Sequence, residues 1–203
     1  MSDMKIVDGR AVIPEGTTEI VARDFAAYPT LVEVYIPASV IEIEEGAFGG
    51  CPNLVTIKVD ENNPSYDSRG DCNAIIETAT NILVQGCKTS VIPDSVSIIG
   101  TFAFYDTYLT KIYIPDSVLK IDHTAFGYNA ELEEVRFSES LVEIENYAFT
   151  KCTALTELEF PKSLTTIGQG AFSHCVNLKS VTLPDSVKEI DEHAFFGVNL
   201  TKA

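Results

Sequence analysis

The sequence predicts a repeat solenoid, built mainly of short parallel β-strands with one short helical turn per coil. Three observations point there. First, the phrase Ile-Pro-x-Ser-Val-x-x-Ile-x-x-x-Ala-Phe recurs, and the leucines that open its copies (Leu31, Leu54, then Leu109, Leu132, Leu155 and Leu178) return every 23 residues where the copies are full. A fixed period of this size marks a stack of units, none of which can bury its own apolar face. Second, each Leu-x-x-Val-x-Ile segment sets two apolar residues two apart, on one face of a strand. Third, an aromatic recurs in fixed phase at Phe126, Phe149, Phe172 and Phe195, so each coil offers one ring to a common interior.

The elements follow in order. Lys5 to Val12 forms a tight hairpin around Asp8-Gly9, and residues 1–12 are assigned as an N-terminal capping hairpin. Residues 13–203 are the repeats. Ile13-Pro14, Ile20 and Phe25 mark a partial first copy, and Leu31 to Asn53 is the first full one. Residues 59–90 break the period and read as an enlarged coil. There Asn63-Pro64 is a turn, and Thr78-Ala79-Thr80 joins two β-prone runs into a hairpin. A shorter copy on Ile92-Pro93 and Ala103-Phe104 leads into the four that open at Leu109, Leu132, Leu155 and Leu178.

Within one copy, proline ends the first strand because it has no N–H to donate. Pro-x-Ser turns the chain, Ser-Val-x-x-Ile gives a second extended piece, and x-x-x-Ala-Phe-x-x-Cys fits one turn of helix. The chain ends at Asn199–Ala203, where another copy would open, so it reads as one domain of a longer protein.

Composition narrows the function. The 203 residues are 45% apolar, ample for a continuous core, and carry 30 acidic against 14 basic side chains for a net charge of −16. Phosphate-backbone binding needs a Lys/Arg footprint, so nucleic acid is not an expected partner. No run approaches the roughly 18 apolar residues of a membrane span. Residues 1–10 lack a basic start followed by an apolar stretch, so no signal peptide is expected in this segment.

Chemistry is sparse. The five cysteines form no Cys-x-x-Cys pair, and Cys51, Cys152 and Cys175 share one repeat position, where other copies carry Tyr28 and Asn129. That column reads as small buried thiols rather than a zinc site or a disulfide. His123 and His193 lie three copies apart, roughly 14 Å at the spacing of paired strands, too far to share a metal. His174 beside Cys175 lacks an orienting partner for a nucleophile. An acidic column follows the prolines (Glu15, Asp94, Asp116, Glu139, Asp185), but turn chemistry accounts for it, and Ala38 and Lys162 interrupt it. The expectation is no enzyme, no metal and no cofactor.

What remains is surface. By strand alternation, two positions of each Leu-x-x-Val-x-Ile strand point outward. One column runs through Glu33, Lys111 and Glu134, the other through Tyr35, Lys58, Tyr113 and Arg136. Tyrosine and arginine are enriched at binding hot spots, so these seven are the candidate binding residues.

The pattern resembles the BspA-like leucine-rich repeat family, whose unit is Leu-x-x-Val-x-Ile-Pro-x-Ser-Val-x-x-Ile-x-x-x-Ala-Phe-x-x-Cys. Leu155 to Cys175 displays it as Leu-Thr-Glu-Leu-Glu-Phe-Pro-Lys-Ser-Leu-Thr-Thr-Ile-Gly-Gln-Gly-Ala-Phe-Ser-His-Cys, and the likeness runs over roughly residues 10–200. The coil from Asp60 to Cys87 also looks like a variant of that family. The resemblance implies a leucine-rich-repeat-like right-handed superhelix, secreted or held at the cell surface. It implies an adhesin-like module that binds a protein or glycan, such as a host surface or matrix protein. The alternative is a structural spacer that projects other domains from the surface. A monomer is expected, with end-to-end association left open.

Overall fold

The computed structural model describes residues 4–201. Residues 1–3 of the assigned cap and Lys202-Ala203 of the repeat region lie outside the described residues. The chain winds as a β-solenoid with two rows of strands and a third side made of turns.

The first row holds the Leu-x-x-Val-x-Ile strands. Strand β1 (Lys5–Val7) pairs antiparallel with β2 (Arg10–Val12), which is followed in parallel by β4 (Glu33–Ile36) and β6 (Thr56–Val59). Beyond the enlarged coil the row resumes as two parallel pairs. These are β11 (Lys111–Tyr113) with β13 (Glu134–Arg136), and β15 (Glu157–Glu159) with β17 (Ser180–Thr182). Partners such as Ile112↔Val135 and Leu158↔Val181 differ by one sequence period, so equivalent residues stack.

The second row holds the Ser-Val-x-x-Ile segments. Here β3 (Glu19–Ile20) pairs with β5 (Glu42–Ile43). Farther on, β10 (Ile98–Ile99), β12 (Lys120–Ile121), β14 (Glu143–Ile144), β16 (Thr166–Ile167) and β18 (Glu189–Ile190) form a parallel ladder. Ile99, Ile121, Ile144 and Ile167 are fully buried along it.

The expected turn of helix takes another form. Helix among the described residues is confined to two 3-10 turns, Ala22–Asp24 and Arg69–Asp71. In the Ala-Phe segments the residue before Ala is left-handed in every coil that carries one: Gly46, Phe102, Thr124, Tyr147, Gly170 and His193. A second left-handed residue follows two places after Phe, at Gly50, Asp106, Tyr128, Lys151, His174 and Gly197. Consecutive tight turns result, and they release N–H groups from the local coil to the next one. Tyr147, Phe149 and Lys151 donate to the carbonyls of Gln169, Ala171 and Ser173, and Thr124, Phe126 and Tyr128 do the same one coil earlier. A helical turn would have bonded these donors locally; the stack takes them instead.

The rings meet as the phase of the repeat implies. Phe104, Phe126, Phe149 and Phe172 stack almost parallel, with centroids 5.1, 4.9 and 5.2 Å apart. Phe137 and Phe160, in place of the usual strand isoleucine, add edge contacts to Phe149 and Phe172. The ladder stops at the enlarged coil. Gly86 lies against Phe104 so closely that a Cβ there would come 2.1 Å from the ring, and Phe25 and Phe48 form a separate stack beyond it.

The enlarged coil is an antiparallel meander of β7 (Tyr66–Asp67), β8 (Ile75–Glu77) and β9 (Ile82–Gln85), and β9 continues into the parallel ladder at β10. It supplies no strand to the first row beside β6. Asn73 takes that place with its side chain, accepting from the Ile57 amide at 2.6 Å and donating to the Val55 carbonyl at 2.6 Å. The Thr89 hydroxyl also donates to the Val55 carbonyl at 2.8 Å, and together the two side chains cap part of an edge that would otherwise offer itself to any extended chain.

Candidate interaction surfaces

The outward strand positions lie where alternation puts them. Tyr35, Lys58, Lys111, Tyr113, Glu134 and Arg136 are exposed, and Glu33 is half-buried. Their neighbours are one coil away. Glu33 pairs with Arg10 at 3.0 Å, Tyr35 stands beside Lys58, and Lys111 stands beside Glu134. The Arg136 guanidinium lies 5.0 Å from the centre of the Tyr113 ring. The Tyr35 hydroxyl donates to the Asp60 carboxylate, which raises the pKa of the phenol and lowers that of the acid.

Strand pairing does not bring all seven together. Tyr35 and Lys58 belong to the β4–β6 sheet, Tyr113 and Arg136 to the β11–β13 sheet, and among the described residues no strand of this row bridges them. The second group opens onto a concavity of about 960 Å³ along β13, β15 and β17. Its walls carry Glu133, Glu134, Glu157 and Glu159 around Arg136 and Lys162. Phe137 and Phe160 turn inward beneath it, so the rim is polar over an apolar floor.

The other residues considered from sequence have structural occupations. All five cysteines are buried free thiols. Cys51, Cys152 and Cys175 each donate to the carbonyl of the phenylalanine one coil earlier, at 3.0, 3.3 and 3.2 Å. Asp116, in the column after proline, accepts from the Glu139 amide of the next coil at 2.8 Å. His123 is half-buried, edge-on to Phe102 and Tyr147. Among the described residues no three His, Cys, Asp or Glu side chains are placed to hold a metal ion.

Two features escaped the sequence reading. Arg69-Gly70-Asp71 forms a 3-10 turn in which a guanidinium and a carboxylate flank a left-handed glycine. Here Arg69 is bound by Asp67 at 2.7 and 2.5 Å and by Asn81 at 2.7 Å, so its charge serves the coil while Asp71 faces solvent. The second feature is a groove of about 660 Å³ on the turn side, lined by rings from several coils. Aromatics at the variable positions around Ala-Phe were its signal, visible only once those positions stack.

Comparisons with known proteins fit this architecture. Residues 10–70 and 84–201 match the BspA type leucine-rich repeat region in six copies. No curated protein is significantly similar. Among crystal structures, a leucine-rich cell surface protein of Faecalibacterium prausnitzii is 29% identical with a TM-score of 0.77, over 94% of this chain and 53% of that one. The pneumococcal vaccine antigen PcpA shares the fold at 21% identity and a TM-score of 0.74, over 91% of this chain and 49% of that one. A leucine-rich repeat protein of Eubacterium ventriosum does so at 23% and 0.72, over 97% and 66%. The chain thus spans about half the length of the first two. With its stacked turns, buried rings and periodic strands matched across most of its length, this chain belongs to the BspA-type leucine-rich repeat family.

Proposed function

We propose that the chain is a non-enzymatic interaction module of a secreted or cell-surface protein, adhesin-like in action. Its partner is a protein with basic patches, held on the outward strand face. The observation that carries this reading is the glutamate-rimmed concavity beside the stacked Tyr113–Arg136 pair. A rigid sheet loses little entropy on binding, and large amphipathic side chains set beside unpaired carboxylates suit a wet, basic protein surface. The surface location is supported by the description of the Faecalibacterium relative as a cell surface protein.

The test captures partners from host-surface and microbial-surface extracts on the immobilised domain, then titrates each purified partner against variants. Tyr35→Ala/Tyr113→Ala/Arg136→Ala and, separately, Glu134→Lys/Glu157→Lys should weaken binding, and rising salt should weaken binding to the parent. Binding of equal strength to parent and both variants would remove the strand face from consideration.

A further inference from the structure

The groove on the turn side is a second surface, independent of the strand face. Its floor carries one buried hydroxyl per coil over consecutive coils, from Thr124, Thr150 and Ser173. Thr150 and Ser173 bond to each other at 2.8 Å, and each hydroxyl keeps further donor or acceptor capacity. Exposed rings rise around this floor, among them Tyr128 and Tyr147, with Phe196 toward one end. Tyr147 lies over the next coil because Gly170 has no side chain: a Cβ there would come 2.5 Å from the ring.

The charge is as informative as the rings. In a chain of net charge −16, no Asp or Glu among the described residues lines this groove. Lys151, the lysine among its described lining residues, is stacked on the Tyr128 ring at 4.5 Å. A basic peptide would find no counter-charge here. Apolar ring faces beside neutral hydroxyls match a ligand with C–H faces and hydroxyl edges, which is the surface of a sugar. Spacing adds a second argument, since the stacked rings of the coils behind the groove lie 4.9 to 5.5 Å apart. An extended β-linked glycan advances by about one such spacing per sugar, whereas a polyproline helix rises only about 3.1 Å per residue and falls out of step.

We propose that this groove binds a short, neutral, β-linked oligosaccharide, seating one sugar per coil over the Thr124–Thr150–Ser173 floor. Tyr128 and Tyr147 supply the stacking walls, and the floor hydroxyls read the sugar edges.

Calorimetric titration of the folded domain with cellotetraose, triacetylchitotriose, maltotriose and decaproline tests it. At least one of the two β-linked probes should bind, and Tyr128→Ala/Tyr147→Ala, folded by circular dichroism, should lose about tenfold or more in affinity. Tyr113→Ala/Arg136→Ala should bind the sugar as the parent does, which separates this site from the strand face. The proposal is overturned if neither β-linked probe binds at about 10 mM, if the double tyrosine variant binds unchanged, or if maltotriose or decaproline binds in their place.

Discussion

The amide of Asn129 does for its coil what the thiol of Cys152 does for the next: each donates to the carbonyl of the phenylalanine one coil earlier, Asn129 to Phe104 at 2.6 Å and Cys152 to Phe126 at 3.3 Å. Asn129 does more, because its oxygen also accepts from the Thr107 and Leu109 amides. One repeat position therefore has one task, and two unlike side chains perform it.

Substitution at this position should separate the two. Asn129→Ala strands the buried Thr107 and Leu109 amides and should cost about 3 kcal/mol, while Cys152→Ala gives up a single weak donor and should cost about 1 kcal/mol. Urea unfolding of both variants, compared at equal m-value, measures the difference. Equal losses would mean that the bonds to Thr107 and Leu109 contribute nothing.

The thiols should be inert in the folded protein and should make it sensitive to base. Burial pushes Cys175 up to about 12 from 9.0, and burial together with the neighbouring Cys175 raises Cys152 well above its ordinary value. The unfolded chain gives up these protons first, so the native state binds more of them between those limits. Stability should then fall as pH rises from about 9 toward 12. Cys152→Ala/Cys175→Ala should flatten the decline, and a thiol reagent at pH 8 should label these two positions only after denaturant is added.

Phe149 stands between two stacked neighbours and also takes the edge of Phe137. Phe149→Ala should cost about 3–5 kcal/mol, the usual range for deleting a core aromatic. A loss below about 1 kcal/mol in thermal or urea unfolding would contradict its burial.

Asn73 should be indispensable to the junction at the enlarged coil. Asn73→Ala leaves the Ile57 amide unpaired at an open edge and the Val55 carbonyl with only the Thr89 hydroxyl, and should cost about 2 kcal/mol. Hydrogen exchange should quicken at Ile57 first, with little change at Ile144.

The period was legible because the core residues repeat in phase. Ile, Phe and Ala mark the interior whatever the local backbone does, and the strand registers follow from their spacing. The hairpin at Thr78–Thr80 was legible too, from its short polar link between β-prone runs. The turn geometry was not. Thr124 and Tyr147 have little preference for left-handed backbone, and there their N–H groups reach the carbonyls of Asn146 and Gln169 in the next coil. Local propensity said helix, and the stack overrode it. The aromatic groove was hidden for a related reason. Its rings occupy different variable positions in different coils, so no single column of the repeat contains them. Asn73 was unreadable because a side chain that imitates a strand leaves no pattern in the sequence.

The forward-donating turns give the molecule a direction. Down the turn side, peptide N–H groups aim toward the C-terminal coils and carbonyls toward the N-terminal ones, bond after bond from Phe104 to Phe172. Aligned peptide dipoles add, so this wall is polarised along the solenoid axis, as a helix is along its own. Docking is then not symmetric. Two copies that met C-terminal coil to C-terminal coil across a twofold axis would set donor against donor along this wall. A coil that follows another must present carbonyls, so any extension of the ladder runs head to tail.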